Sequence, residues 1–303
     1  MIEQLCTSNS AQKSVMVIFE DYGVKKKLSL SNRFNFQKAG HSSGITVLNA
    51  VMSDFSYGKH AHEELAIGVT TEGVQEFFCD GQTYRSYPGD IILFNPDEVH
   101  TGNPGTGAVL KYTMLYLDPD KLYPLIECAS DKAIEDFRIP RTHFKDPALR
   151  SMLLEISCRS RESASFSTLE QEHALYALAT QISKILGSFQ LNGWTNRKDA
   201  FLMVVRDYIH DHIEDDITID DLSHVANISK YHLIRIFRRQ FGLTPHKYIM
   251  NHRINKVRNA LKSGVSATQV AHEFGFFDTS HLNRHFKQAY GVTPKQYQAQ
   301  IQG

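Results

Sequence analysis

The sequence predicts a two-domain α+β protein: a small β-barrel with trailing helices, then an all-α domain holding two helix-turn-helix units. Three observations predict it. Between Gly44 and Asp118, short strand-like segments are separated by turn-forming residues, the pattern of a small barrel or jelly roll. From Ser229 onward one motif occurs twice, with Leu233, Arg235 and Phe237 returning as Leu282, Arg284 and Phe286, 49 residues later. Charge divides the same way. Twelve Lys and Arg oppose only Glu273 and Asp278 from Ser229 onward, whereas the first 228 residues hold 21 basic and 31 acidic residues, in a chain of zero formal net charge. One end suits a polyanion and the other does not.

The length of 303 residues fits two domains, and 42% hydrophobic content supports packed cores. Cys6, Cys79, Cys128 and Cys158 are too scattered for a metal or redox motif, so buried free thiols are expected. Met1 to Ser14 is polar, unlike a signal peptide, and no apolar run approaches the ~18 residues of a membrane span. The expectation is a cytoplasmic protein without a membrane partner.

In chain order, residues 1–13 read as loose, Val15–Glu20 as a first strand, and Lys25-Lys26-Lys27 as a solvated turn. Strands are expected over Ile45–Phe55, Leu65–Thr71, Gln75–Cys79, Thr83–Tyr87, Asp90–Asn95 and Lys111–Leu117. Asp80-Gly81 is a two-residue hairpin signal between two of them. Alternation along His60-Ala61-His62-Glu63-Glu64 predicts His60, His62 and Glu64 on one face. Pro88-Gly89-Asp90 and Pro96-Asp97-Glu98-Val99-His100 follow. This spacing resembles the two motifs of the cupin barrel. The resemblance implies that His60, His62 and His100 stand where three metal ligands of cupin enzymes stand. The usual Glu would fall at Ala66 or Ile67, so the fourth ligand is missing unless Glu64 substitutes.

Three readings of this cluster stand open: satisfied barrel residues, a polar effector pocket, or a divalent metal site. The reading adopted is an effector-binding set of His60, His62, Glu64 and His100, with no metal, cofactor or catalytic residue assigned. Tyr57, Glu76, Asn95 and Tyr112 are weaker pocket candidates.

From Asp118 the texture becomes helical, over Pro119–Ala129 and Pro147–Cys158. A third helix opens at the capping box Ser167-Thr168-Leu169-Glu170 and carries a stripe of Leu175, Leu178, Ala179, Ile182, Ile185 and Leu186 before Gly187. The expected division is residues 1–186 for effector binding and dimerisation, 187–197 for a linker, and 198–303 for DNA binding. A bracing helix is expected over Asp199–His212, with Phe201, Leu202, Val205, Tyr208 and Ile209 inward.

Each copy of the tail motif begins with a short capped helix, at Thr218-Ile219-Asp220-Asp221 and at the capping box Ser266-Ala267-Thr268-Gln269. A turn follows, at Ala226-Asn227 and at Gly275, then a second helix ending at Gly242 or Gly291. Short helix, tight turn and second helix make a helix-turn-helix. The outer faces carry Lys230, Tyr231, Ile234, Arg235 and Arg238, then Thr279, Ser280, Asn283, Arg284 and Lys287, types suited to base edges and phosphates. Between the copies, Pro245 opens an 18-residue helix with Tyr248, Ile249, Ile254, Val257 and Leu261 inward. At ~1.5 Å per residue it spans roughly 27 Å. It would act as a strut, holding two recognition helices about one DNA turn apart.

Residues 198–298 resemble the paired helix-turn-helix domain of the AraC/XylS family of bacterial transcription regulators. The run Ala271-His272-Glu273-Phe274-Gly275-Phe276, with Ser280 to Lys287 and Gly291 to Tyr297, carries the likeness. Phe277 departs from it, standing where a small or polar turn residue is usual, and Tyr231 occupies a position that varies with the DNA site. The resemblance implies a ligand-responsive regulator that binds promoter DNA and a small-molecule effector. It also implies activation through RNA polymerase, and homodimerisation through the helices after the barrel. Two other readings are a metal-binding cupin enzyme carrying a DNA-binding module, and an architectural DNA binder.

Overall fold

The computed structural model describes residues 15–16, 27–28, 31–40, 44–105, 109–130, 138–161, 166–187 and 200–302. Residues 1–13 and nearly all of the expected linker lie outside them. The N-terminal part is built of strands β1 (Val15–Met16), β2 (Lys27–Leu28), β3 (Arg33–Lys38), β4 (Ile45–Met52), β5 (Tyr57–His60), β6 (Leu65–Glu72), β7 (Gln75–Cys79), β8 (Gln82–Ser86), β9 (Ile91–Phe94), β10 (His100–Pro104) and β11 (Leu110–Leu117). Helix α1 (Pro119–Ser130), strand β12 (His143–Phe144), and helices α2 (Pro147–Arg161) and α3 (Thr168–Gly187) complete it. Every strand pairing is antiparallel, in a six-stranded sheet of order β12-β9-β6-β11-β4-β3, a four-stranded sheet of order β5-β10-β7-β8, and the small β1-β2 pair.

The strands follow from side-chain alternation and turn chemistry. Strand β3 alternates, burying Phe34 and Phe36. The β7–β8 hairpin turns at Asp80 and Gly81, both at positive φ (47° and 79°), as a primed turn requires. The face of the six-stranded sheet turned away from the four-stranded one contributes Ile45, Val47, Leu65, Ile67, Ile91 and Leu115 to a core that α1, α2 and α3 cover. The expected α3 stripe is consumed here: Leu175, Leu178, Ala179 and Ile182 are buried against their own chain. Among the described large apolar residues of α3, Leu169 and Tyr176 stay exposed, at 76% and 47%.

The C-terminal part is all helical: α4 (Ala200–Asp211), α5 (Ile219–Ala226), α6 (Lys230–Phe241), α7 (Pro245–Lys262), α8 (Ala267–Glu273), α9 (Thr279–Tyr290) and α10 (Pro294–Gln302). The first unit has its own core, in which Leu202, Val205 and Ile209 of α4 meet Leu222, Leu233 and Phe237. The second unit shares a core with the barrel, because Tyr290 and Tyr297 pack edge-on against Phe36 of β3.

Several expectations need correction. Phe201 is 39% exposed, not inward. Cys128 and Cys158 are exposed on the outer faces of α1 and α2; Cys79 alone of the described cysteines is buried. Strands β3, β5 and β10 were not foreseen; of the expected Val15–Glu20 strand, Val15 and Met16 form β1 and the rest lies outside the described residues. The Ser266 cap is half a box: Ser266 accepts from the Gln269 amide, but the Gln269 side chain turns to Glu273 instead.

Candidate DNA interface and effector site

Local chemistry sets the two recognition helices. Thr218 and Asp221 form a complete capping box at α5, and Asn227, at φ 50°, ends it. The second copy turns at Gly275 (φ +67). Asp278 caps α9 by accepting from the His281 amide at 2.6 Å. Gly242 and Gly291 end α6 and α9 in the same left-handed conformation, at φ 74° and 75°. The duplication therefore extends from side chains to backbone.

Leu233, Ile236 and Phe237 of α6, and Leu282 and Phe286 of α9, point into the cores. This places Lys230, Tyr231, Ile234, Arg235 and Arg238 on the exposed face of the first unit. Thr279, Ser280, Asn283, Arg284 and Lys287 are exposed on the second. Tyr231 and Phe277 stand almost free, 88% and 91% exposed. Lys230 pairs with Asp220 at 2.6 Å, a solvated pair that competes only weakly with a phosphate. Not every cation of the basic tail faces outward. Arg253 is buried in α7 and donates to the carbonyls of Ile213, Asp215 and Gly275, tying the strut to both units. Arg258 is buried as well.

The effector candidates lie where the four-stranded sheet meets the helical domain. His60 ends β5 and His100 begins β10, and the two are register partners across the strands. His62 follows in the loop, and all three imidazoles are buried. Their ring centroids lie 4.4 to 5.0 Å apart. Phe94 stacks on His100 at 3.6 Å, and Tyr116 meets His62 edge-on at 5.0 Å. Burial pushes His60 down to about 4 and lowers His62 and His100 well below the usual range, so all three are neutral near pH 7. Tyr57 and Tyr112 share a hydroxyl contact of 3.2 Å beside them.

The other candidates lie apart. The chain leaves the strand after His60, so alternation no longer governs Glu64. Glu64 turns toward α7, where Arg258 and Lys262 bind its two carboxylate oxygens. It is an interface residue, not a fourth member of the histidine cluster. Glu76 pairs with Arg85 at the surface, and Asn95 bonds to Glu98 and the Ile139 backbone.

This interface was not anticipated. Asn251 and Asn255 bond the Ala61 backbone, Asn259 donates to Glu63, and Arg258 and Lys262 hold Glu64. Gln300 of α10 adds backbone bonds to Phe34 and Phe36 of β3. The signal was present in the sequence: Asn251, Asn255, Arg258 and Lys262 recur at helical spacing on one face of α7.

An antiparallel double sheet joined to two outward-facing helix-turn-helix units defines a DNA-binding regulator with a sensory barrel. Comparison with known proteins agrees. Residues 43–179 match the AraC-like ligand binding domain family, and residues 222–300 match a helix-turn-helix domain family. The uncharacterized HTH-type transcriptional regulator YbfI of Bacillus subtilis (strain 168) is 30% identical over 226 residues, covering 75% of this chain and 81% of its own. The chain belongs to the AraC family of ligand-responsive transcription regulators. The transcriptional activator RhaS of Escherichia coli (strain SMS-3-5 / SECEC) is 22% identical over 88% of this chain and 96% of its own. The solved structure of ToxT from Vibrio cholerae O395 shares the fold at a TM-score of 0.55, with 14% identity, 86% of this chain and all of that one. No described helix is long and apolar enough to cross a membrane.

Proposed function

We propose that this regulator activates transcription from the cytoplasm as a homodimer, by placing α6 and α9 in successive major-groove segments on one side of promoter DNA. The observation that carries this reading is the matched exposure of Arg235 and Arg284 at the same position of two duplicated helices on one strut. Arg235 and Arg284 take guanines, the commonest specific contact for arginine. Lys230, Tyr231, Ile234, Thr279, Ser280 and Asn283 read neighbouring bases or thymine methyls, while Arg238 and Lys287 hold phosphates. The strut is 18 residues long, roughly 27 Å, a length compatible with groove segments about 34 Å apart.

The barrel binds the effector at His60, His62 and His100 and performs no catalysis. Effector binding matters only if it favours one domain arrangement over another. The Glu64 contact with Arg258 and Lys262 provides the coupling, since it ties the loop after His62 to the strut. RNA polymerase is the partner through which activation works. Dimerisation uses the α3 face that carries Leu169 and Tyr176. Binding-site selection from random duplexes tests the DNA reading. A bipartite site with half-sites about one helical turn apart supports it, and a single short box or no preference contradicts it. Light scattering at micromolar concentration tests the dimer, which a monomer-only result would retire.

A further inference from the structure

Histidines also pair on the second reading helix, far from the barrel cluster. His281 and His285 of α9 stand four residues apart, so one helical turn sets their rings on the same flank. Both are half-buried. The two Nε2 atoms lie 3.0 Å apart, with ring centroids at 4.7 Å. At that distance one Nε2 carries a proton and the other presents its lone pair. Burial holds His285 below the usual imidazole range, and His281, Arg284 and His246 of α7 add to the effect, so its ring is neutral near pH 7. Neither the core, which takes Leu282 and Phe286, nor the reading face of Asn283 and Arg284 uses the pair.

We propose that His281 and His285 form a two-point chelate for a divalent metal of the nickel or copper type. Spacing of i and i+4 on one helix delivers two imidazoles to a single ion in helical metal motifs. Two nitrogens at ~2.1 Å from one ion lie about 3.0 Å apart when the angle between them is ~90°, and about 3.4 Å apart at the tetrahedral angle. The observed 3.0 Å fits the right angle. That angle belongs to tetragonal coordination, the habit of Ni(II) and Cu(II) with nitrogen ligands, whereas zinc favours the tetrahedron. Binding asks only that the shared proton move to Nδ1 of its own ring, with almost no shift of either side chain.

The same geometry sets the strength. Among the described residues only the barrel histidines bring three ligand groups together, so the α9 pair supplies two ligands and water the rest. His281 Nδ1 is buried without a hydrogen-bond partner, so the outer-shell support that tightens a ligating imidazole is missing there. The site is therefore exchangeable, filled or emptied with metal supply, rather than structural. An ion held there adds two positive charges beside Arg284, on the helix that meets DNA, and so strengthens attraction to phosphates. That last step rests on the regulator reading; the chelate does not.

The test compares untagged, chelator-treated full-length protein with its His285→Gln variant. Ni2+ uptake is followed by calorimetry, and Cu2+ ligation by electron paramagnetic resonance. Wild-type protein should bind one Ni2+ per chain at least about 10-fold more tightly than H285Q does, the least that losing even an outer-shell partner costs. Its Cu2+ spectrum should carry nitrogen couplings that H285Q reduces. The barrel histidines are common to both chains, so the difference reports α9 alone. His281→Gln should give the same loss, and circular dichroism checks that each variant folds. Folded variants that take up both ions as wild type does overturn the proposal. With a selected duplex present, Ni2+ should tighten DNA binding by wild type and leave H285Q unchanged. Uptake without that gain overturns only the link to DNA, and a chain that binds no duplex leaves the chelate result standing.

Discussion

Arg258 and Glu64 show at residue scale how barrel and helices are joined. Burial would raise the Glu64 carboxyl, but Arg258 and Lys262 outweigh it and hold it well below the usual carboxylate range. Removing one member of such a pair leaves a buried uncompensated charge, at a cost of about 3–5 kcal/mol. Glu64→Gln should therefore lower unfolding free energy by that order in equilibrium denaturation. A change below about 1 kcal/mol would show that the pair is open to water in solution. His252, also on α7, gives a pH signature. Burial pushes its imidazole down to about 3, with His210 and Lys256 adding to the effect. Its ring stacks on His210 at 4.2 Å, and Nδ1 lies 3.3 Å from Glu63 Oε1. The unfolded chain protonates His252 near 6.5, before the folded protein does. Its contribution to stability is thus full above about pH 6.5 and drains away as pH falls toward 3. His252→Gln should flatten stability between pH 7 and 4, and an unchanged slope would exclude His252 as its source.

At the scale of elements, the duplicated units invite a direct comparison. Asp278 caps α9 with its side chain, whereas Ser229 makes no such bond at α6. Asp278→Ala should cost about 0.5–2 kcal/mol in urea denaturation, and Ser229→Ala should cost close to nothing. Equal losses would mean that Ser229 caps in solution after all. The helical half was legible in the sequence because caps, end glycines and apolar spacing agreed in both copies. Strand β3 carried an alternating signal in Phe34 and Phe36, but it lay outside the stretch where turns marked strands. Strands β5 and β10 hold Gly58, Gly102 and Pro104, residues of weak strand preference, and tertiary pairing makes them strands. The histidine cluster was legible from its spacing. The place of Glu64 was not, because alternation stops where the chain leaves β5. Nor was the polar face of α7, whose partners lie about 190 residues away.

For the molecule as a whole, the two halves are not beads on a string. The second helix-turn-helix unit shares apolar packing with β3, and the strut carries the ion cluster that receives Glu64. On the proposed reading, a change at His62 passes to the spacing of the DNA-reading helices without unfolding either part. The barrel thus sits on the back of the reading head and leaves its polar face clear. The most direct test is interference mapping of guanine N7 positions on a selected duplex, with wild-type protein and with Arg235→Ala and Arg284→Ala. Two clusters of essential guanines about 10 base pairs apart on one face are predicted. Arg235→Ala should erase one cluster and Arg284→Ala the other, each at a cost of about 1–3 kcal/mol. A single cluster, or two clusters that both variants leave unchanged, would contradict the account.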